Sequence, residues 1–265
     1  MSKRTRKASV LSGYTIGVTS DRRRDELGTL LEQRGARVVI APALRMVPIA
    51  DDAELRTATR SRLATPPDIE VPAYRWVPAT DSAPLHRLVD LITTRLVDAV
   101  TFTAAPAVGA LLRAAGPECE TVLDALRTDV LVACISPVTA TPLQRYGVPV
   151  AAPEQARLSA VVGTIADELP KRAVSLDVAG HSLTLRGHAA IIDGQLRLLA
   201  PAPMAVLRAL AAAPGRVLSR AALLRTLPRG ADEHAVEMAV ARLRAGLGAS
   251  GVVQTVVRRG YRLPA

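Results

Sequence analysis

Aromatic residues are almost absent from this chain: one Phe, one Trp and four Tyr in 265 positions. Val, Leu, Ile and Ala must therefore fill any core. Cysteine is equally scarce. Cys119 and Cys134 show neither CxxC nor metal-ligand spacing, so each is expected as an unpaired buried thiol. No metal and no cofactor are expected. No run of about 18 apolar residues is present to cross a bilayer. The basic SKRTRK start is followed by no apolar stretch with a cleavage site, so it does not read as a secretion signal. The expectation is a cytoplasmic protein with no membrane partner.

What the chain does have is apolar content, 49 % of residues, enough for one large or two ordinary domains. Its formal charge of +10 is unevenly placed. From residue 171 onward fourteen Lys/Arg stand against five Asp/Glu, and residues 1–7 add four more positive charges. Residues 8–170 are mildly acidic, with sixteen against nineteen. A basic third beside an acidic body predicts a polyanion-binding module joined to something else. The expected division is a basic flexible tail over 1–12, an α/β domain over 13–170 and a basic polyanion-binding domain over 173–265.

In the last third the pattern first has a period of two. AVSLDV, HSLTL, HAAII and QLRLL read as short strands, with Asp193-Gly194 as a hairpin turn between the last two. Pro201 and Pro203 then sit in the first turn of a helix that ends at Pro214-Gly215. Ser219 can cap a second helix, RAALLRTL, which stops at PRG. In the third helix, about 232–247, Val236, Val240, Leu243 and Leu247 form one apolar stripe. His234, Met238, Ala241 and Ala245 point the other way, flanked by Arg242 and Arg244. Such a face can enter a major groove, where Arg reads guanine edges and Ala or Met meets thymine methyls. The chain closes on VVQTVVRRGYRL, two short strands around an Arg-rich bend.

This order resembles the winged-helix effector domain of OmpR/PhoB-type transcriptional regulators, through PGRVLSRAALL (214–224), VEMAVARLRAGL (236–247) and TVVRRGYRL (255–263). The resemblance implies double-stranded DNA as partner and residues 232–247 as recognition helix. It implies DNA contacts from His234, Met238, Arg242, Arg244, Thr255, Arg258 and Arg259. The plain alternative is that these arginines only solvate a surface. Tyr261 and Leu263 are expected in the wing's core, and Glu237 in a pair with a neighbouring Arg. The family pattern is broken at Pro203, Ala239 and Gly246, where an acid, a His and a Lys are usual. In the wing, Val257 stands at the usual Arg position, with Arg258 and Arg259 next, so base preference does not carry over.

The first two-thirds alternates strands with helices. GYTIGVTSD is a strand, RRRDELGTLLEQRG a helix ending at Gly35, and ARVVIAPAL a second strand. Further strand-to-helix phrases are VDAVTFTAAPAVGALLRAAG, DVLVACISPVTATPLQRYG and VPVAAPEQARLSAVVGTIADEL. Alternation implies a parallel sheet covered on both faces, with ligands at the carboxyl ends of its strands. That gathers Thr19, Ser20, Thr103, Ser136 and Thr139 around one mouth. Ordinary strand-end capping explains these hydroxyls as well. A phosphorylated receiver is rejected, because VTFTAA ends without an Asp and no Lys lies between 8 and 170.

VDAVTFTAAPAV and VACISPVTA resemble uroporphyrinogen-III synthase, as does the doubled phrase APALRMVP (41–48) and VPAYRWVP (71–78). That family closes a linear tetrapyrrole, hydroxymethylbilane, in a cleft between two α/β domains joined by a pair of linker strands. The resemblance implies that the two phrases are those linkers, pairing as an antiparallel ribbon with Tyr74 and Trp76 opposite Arg75. It also implies that the second domain is absent, with a junction near Ile69/Glu70, and that the five hydroxyl residues face a tetrapyrrole or other small anionic ligand. Ala104, Ala105, Ser136 and Ser20 depart from the family, where two Ser-like residues, a Gly and an Arg are usual. No catalytic residue is assigned.

The fold class expected is thus α/β, a parallel-sheet synthase-like domain with a two-strand linker ribbon, followed by a winged helix-turn-helix domain. The function expected is a DNA-binding transcriptional regulator whose first domain is a sensor or oligomerisation module, with a homodimer as one arrangement. The alternative is an active uroporphyrinogen-III synthase (a lyase) fused to a regulator. The halved cleft argues against activity.

Overall fold

A computed structural model describes residues 9–48, 74–227 and 232–264. The chain begins as β1 (Thr15–Val18), α1 (Arg24–Gln33) and β2 (Arg37–Ile40), then the two ribbon strands β3 (Leu44–Pro48) and β4 (Tyr74–Pro78). There follow α2 (Ala83–Thr93), β5 (Ala99–Phe102), α3 (Ala105–Ala115), α4 (Cys119–Thr128), β6 (Leu131–Cys134), α5 (Pro137–Gln144), β7 (Val150–Ala151) and α6 (Leu158–Lys171). Five strands form a parallel sheet in the order β2-β1-β5-β6-β7. β1, β5 and β6 are buried along their whole length, as continuous apolar runs in a sheet covered on both faces must be. Leu27, Leu31, Val161 and Ile165 cover one face, and Leu88, Ile92, Leu111 and Leu126 the other.

The ribbon pairs as its repeat implies: Leu44 faces Pro78, Met46 faces Trp76 and Pro48 faces Tyr74, antiparallel. Tyr74 and Trp76 stand on one face with ring centroids 6.1 Å apart and planes at 84°, an edge-on pair. The expected junction at Ile69/Glu70 lies outside the described residues, as does the segment from 49 to 73.

The second unit opens with four antiparallel strands, β8 (Val174–Val178), β9 (His181–Arg186), β10 (Ala189–Ile192) and β11 (Gln195–Leu198). Asp193 and Gly194 both take positive φ, 49° and 77°, as the two-residue turn demands. Helices α7 (Pro201–Ala211), α8 (Arg220–Leu224) and α9 (Glu233–Leu247) follow, then the hairpin β12 (Gln254–Val256) and β13 (Gly260–Arg262). Leu207, Leu210, Leu223, Val236, Val240 and Leu243 form its core.

Three expectations need correction. The tail does not extend to residue 12: Leu11 is fully buried and its amide donates to Arg34 O. Two helices, α2 and α4, are additional to those expected. Cys134 is buried, and burial pushes its thiol up to about 12, but Cys119 is only half-buried.

The two units meet at the amino ends of β1 and β5. The turn between β9 and β10 enters there, its Gly187 packed against Asp98 and Gly13. His188 N donates to Gly13 O at 3.0 Å, a His188 ring nitrogen lies 3.1 Å from Leu96 O, and Arg208 Nη2 donates to Gly187 O at 2.7 Å. Asp98 accepts from Thr15 N at 2.7 Å and sits 4.0 Å from Arg208. Burial is the main cause that pushes its carboxyl up to about 6, against the Thr15 hydrogen bond and the Arg208 charge, which lower it.

A carboxyl raised on folding gives stability that is complete below the unfolded pKa and lost as pH rises through the folded one. Between pH 4 and pH 7 Asp98 should therefore cost the folded state on the order of 3 kcal/mol at about 1.4 per pH unit. In urea titrations of wild type and Asp98→Asn, the gap between the two unfolding free energies should move in the variant's favour across that window.

Candidate nucleic-acid interface and strand-end cavity

Helix α9 starts where Asp232 caps it, its carboxylate accepting from Ala235 N at 2.8 Å. It ends at Gly248, in the left-handed conformation that closes a helix. Val236, Val240, Leu243 and Leu247 are all at or below 1 % exposure, so the opposite stripe is fixed outward. His234, Met238 and Arg242 stand on that open stripe, and Met238 keeps 41 % of its surface. Glu237 pairs with Arg220 at 3.1 Å.

Arg244 behaves differently from Arg242. Its Nε and Nη2 donate to Val253 O at 3.0 and 2.8 Å, and Nη2 also donates to Thr255 Oγ1 at 2.8 Å. Its guanidinium lies 5.9 Å over the Tyr261 ring. Arg244 thus fastens α9 to the β12–β13 hairpin, and both it and Thr255 are engaged within the chain. Sequence reasoning could not see this, because the acceptor is a backbone carbonyl nine residues on.

In the wing, Tyr261 and Leu263 are buried as expected. Leu218 and Tyr261 bridge the hairpin to the segment before α8, exchanging amide–carbonyl bonds of 2.8 and 3.0 Å. Arg258 turns the bend with φ 61°, and Val257, Arg258 and Arg259 all stand in solvent.

At the carboxyl ends of β1 and β5, the structure brings three of the five expected hydroxyl residues to one cavity of about 380 Å³. Thr19, Ser20 and Thr103 line it with the ribbon's Leu44, Met46 and Trp76. Ser136 and Thr139 do not line it. Ser136 caps α5 by accepting from Thr139 N, and the two hydroxyls lie 3.2 Å apart. Thr19 is also engaged, donating to Thr101 O at 2.7 Å. Arg22, on the cavity wall, is absent from the expected set, although three consecutive arginines after a strand are a visible signal.

Comparison with known proteins gives two family matches. Residues 67–163 match the family described as uroporphyrinogen-III synthase HemD, and residues 194–263 that described as transcriptional regulatory protein, C terminal. The chain joins a HemD-like segment to one like the C-terminal part of transcriptional regulatory proteins. A curated relative, "Putative uroporphyrinogen-III synthase" of Methanothermobacter thermautotrophicus, is 32 % identical over 94 residues, 36 % of this chain and 37 % of the relative. This chain therefore spans little more than a third of that relative. Among solved structures, a mutant uroporphyrinogen III synthase of Thermus thermophilus is 16 % identical with TM-score 0.49, covering 60 % of this chain and 99 % of its own. The DNA-binding domain of Klebsiella pneumoniae RstA, in complex with the RstA box, is 24 % identical with TM-score 0.29, covering 34 % and 96 %. No helix among the described residues is long and apolar enough to cross a membrane.

Proposed function

We propose that the protein is a cytoplasmic transcriptional regulator that reads double-stranded DNA with α9 and the β12–β13 wing. Its HemD-type domain serves as sensor or pairing module rather than catalyst. The observation that carries this is the open stripe of α9, where Arg242 projects free of any carboxylate among the described residues. In this reading Arg242 reads base edges, Arg258 and Arg259 hold the backbone, and a second copy of the chain occupies a neighbouring half-site.

The test is DNA binding. Against a site enriched from random duplexes, Arg242→Ala should weaken affinity by about 10- to 100-fold and flatten preference at one position. Arg258→Ala should weaken binding evenly across sequences and lower the salt slope by about one. Unchanged binding in both variants would sink the docking scheme.

A second reading, an active synthase, is favoured by the match of residues 67–163 to the synthase family. Against it stands the junction proposed at Ile69/Glu70, which leaves one wall where a cleft enzyme needs two to hold its substrate. Appreciable type III product from hydroxymethylbilane would establish the enzyme.

A further inference from the structure

The strand-end cavity encloses less space than a whole tetrapyrrole fills. Its volume is about 380 Å³. A cavity of about 150 Å³ holds one benzene ring, so this one holds about two ring units, and four pyrrole rings would need roughly 600 Å³ before their side chains are counted.

One end of the cavity carries an unmet polar group. Ser20 is 5 % exposed, and among the described residues its Oγ has no hydrogen-bond partner. An unpaired buried hydroxyl is unfavourable, a cost that a bound acceptor would remove. Beside it stands Arg22, whose polar contact among the described residues is a 3.5 Å approach of Nη1 to the Met46 sulfur, a weak acceptor. The neighbouring charges are already matched: Asp21 with Arg24 at 3.4 Å, and Arg23 with both oxygens of Glu26. Among the described residues, Ser20 and Arg22 are thus two donors open to a ligand anion.

The rest of the lining is an apolar slot. Met46 and Trp76, directly opposed across the ribbon, line it, with Met46 also beside Arg22. Ala104 and Ala107 at the start of α3 line it too, with side chains too short to fill the space. An indole beside a thioether favours a flat aromatic face over an aliphatic chain.

We infer that this cavity binds a planar aromatic carboxylate of one or two rings, its carboxylate on Ser20 Oγ and Arg22 and its ring between Trp76 and Ala104. This assignment rests on the sensor reading and deepens it by naming the ligand class. Ligand binding and DNA response are measured separately, so either can fail alone.

Trp76 is the chain's sole tryptophan, and it reports directly on the slot. Benzoate titrated into the full chain should change its emission saturably. Cyclohexanecarboxylate should bind several-fold more weakly, and benzyl alcohol, which lacks the charge, should give no saturable change. Arg22→Ala should weaken benzoate at least tenfold, with Arg22→Lys recovering part of the loss. Arg22 is exposed, so its removal leaves the fold intact. Ser20→Ala should weaken benzoate several-fold while leaving urea stability equal or higher, since it deletes an unmet hydroxyl. A structural hydroxyl would show the opposite stability change.

Biliverdin, a linear tetrapyrrole, should not displace benzoate at equal concentration. No saturable benzoate signal, benzoate affinity unchanged in both variants, or displacement by biliverdin would each overturn the assignment. If benzoate binds as described but leaves affinity for DNA unchanged, the sensor role fails and the ligand site stands.

Discussion

Gly260→Ala is expected to abolish specific DNA binding and to destabilise the winged domain by at least about 3 kcal/mol, the scale of the larger single-site losses. Gly260 has φ 131°, where a side chain is strained, and a Cβ there would fall inside the van der Waals shell of Leu218 O. That carbonyl cannot yield cheaply. It belongs to the bridge between Leu218 and Tyr261, and Tyr261 is 5 % exposed beneath Arg220 and Arg244. Moving the bridge moves the ring, and with it the anchor of Arg244 on Val253 and Thr255. Thermal unfolding of residues 173–265 within the full chain, followed by circular dichroism, checks the stability, and electrophoretic mobility of an enriched site checks the binding. Retained melting temperature with retained binding would show that the wing tolerates displacement.

The second large effect is at the joint between the units. Gly187 has φ 49°, and an added Cβ would lie 2.5 Å from both Asp98 Oδ2 and Gly13 O. Gly187→Ala should therefore expel the β9–β10 turn from the amino ends of β1 and β5, breaking the His188 and Arg208 hydrogen bonds together. Asp98, then open to water, should return toward an ordinary carboxylate. The expected result is two separate unfolding transitions in place of coupled unfolding, faster proteolysis near residue 172, and loss of the pH dependence assigned to Asp98. Binding of a single winged domain to DNA should survive, because α9 is not part of the joint. A single, unshifted transition in calorimetry would contradict this account.

Much of the fold is legible because its signals are local. The stripe of Val236, Val240, Leu243 and Leu247 has one period, and Asp193-Gly194 has one turn type. The doubled phrase at 41–48 and 71–78 is legible for another reason: its two copies pair residue by residue across one ribbon. Helix α2 carries an equally clean stripe in Leu85, Leu88, Val89 and Ile92, all buried. It escapes notice because it follows directly on the ribbon phrase, with no strand of its own before it.

The joint is beyond reach. Gly13, Asp98 and Gly187 lie far apart in the chain, and a glycine's close approach has no periodicity to announce it. The cavity is half legible: strand-end position selects Thr19, Ser20 and Thr103 correctly as neighbours. It cannot show that Ser136 and Thr139 satisfy each other, or that Arg22 joins the cavity wall.

β1 is shared by the joint and the cavity, and its shortness has an electrostatic consequence. Thr15, which holds Asp98, and Ser20, which faces the cavity, are separated by about 16 Å of chain at 3.3 Å per strand residue. The path between them runs through sheet and packed side chains, where salt screens little. At an effective dielectric of about 20, one negative charge across that span is worth about 1 kcal/mol, close to one pH unit. Any anion seated on Ser20 would therefore push the Asp98 titration further toward neutrality. Charge at one end of a single strand would then be read as protonation at the other, without any atom of the backbone having to move.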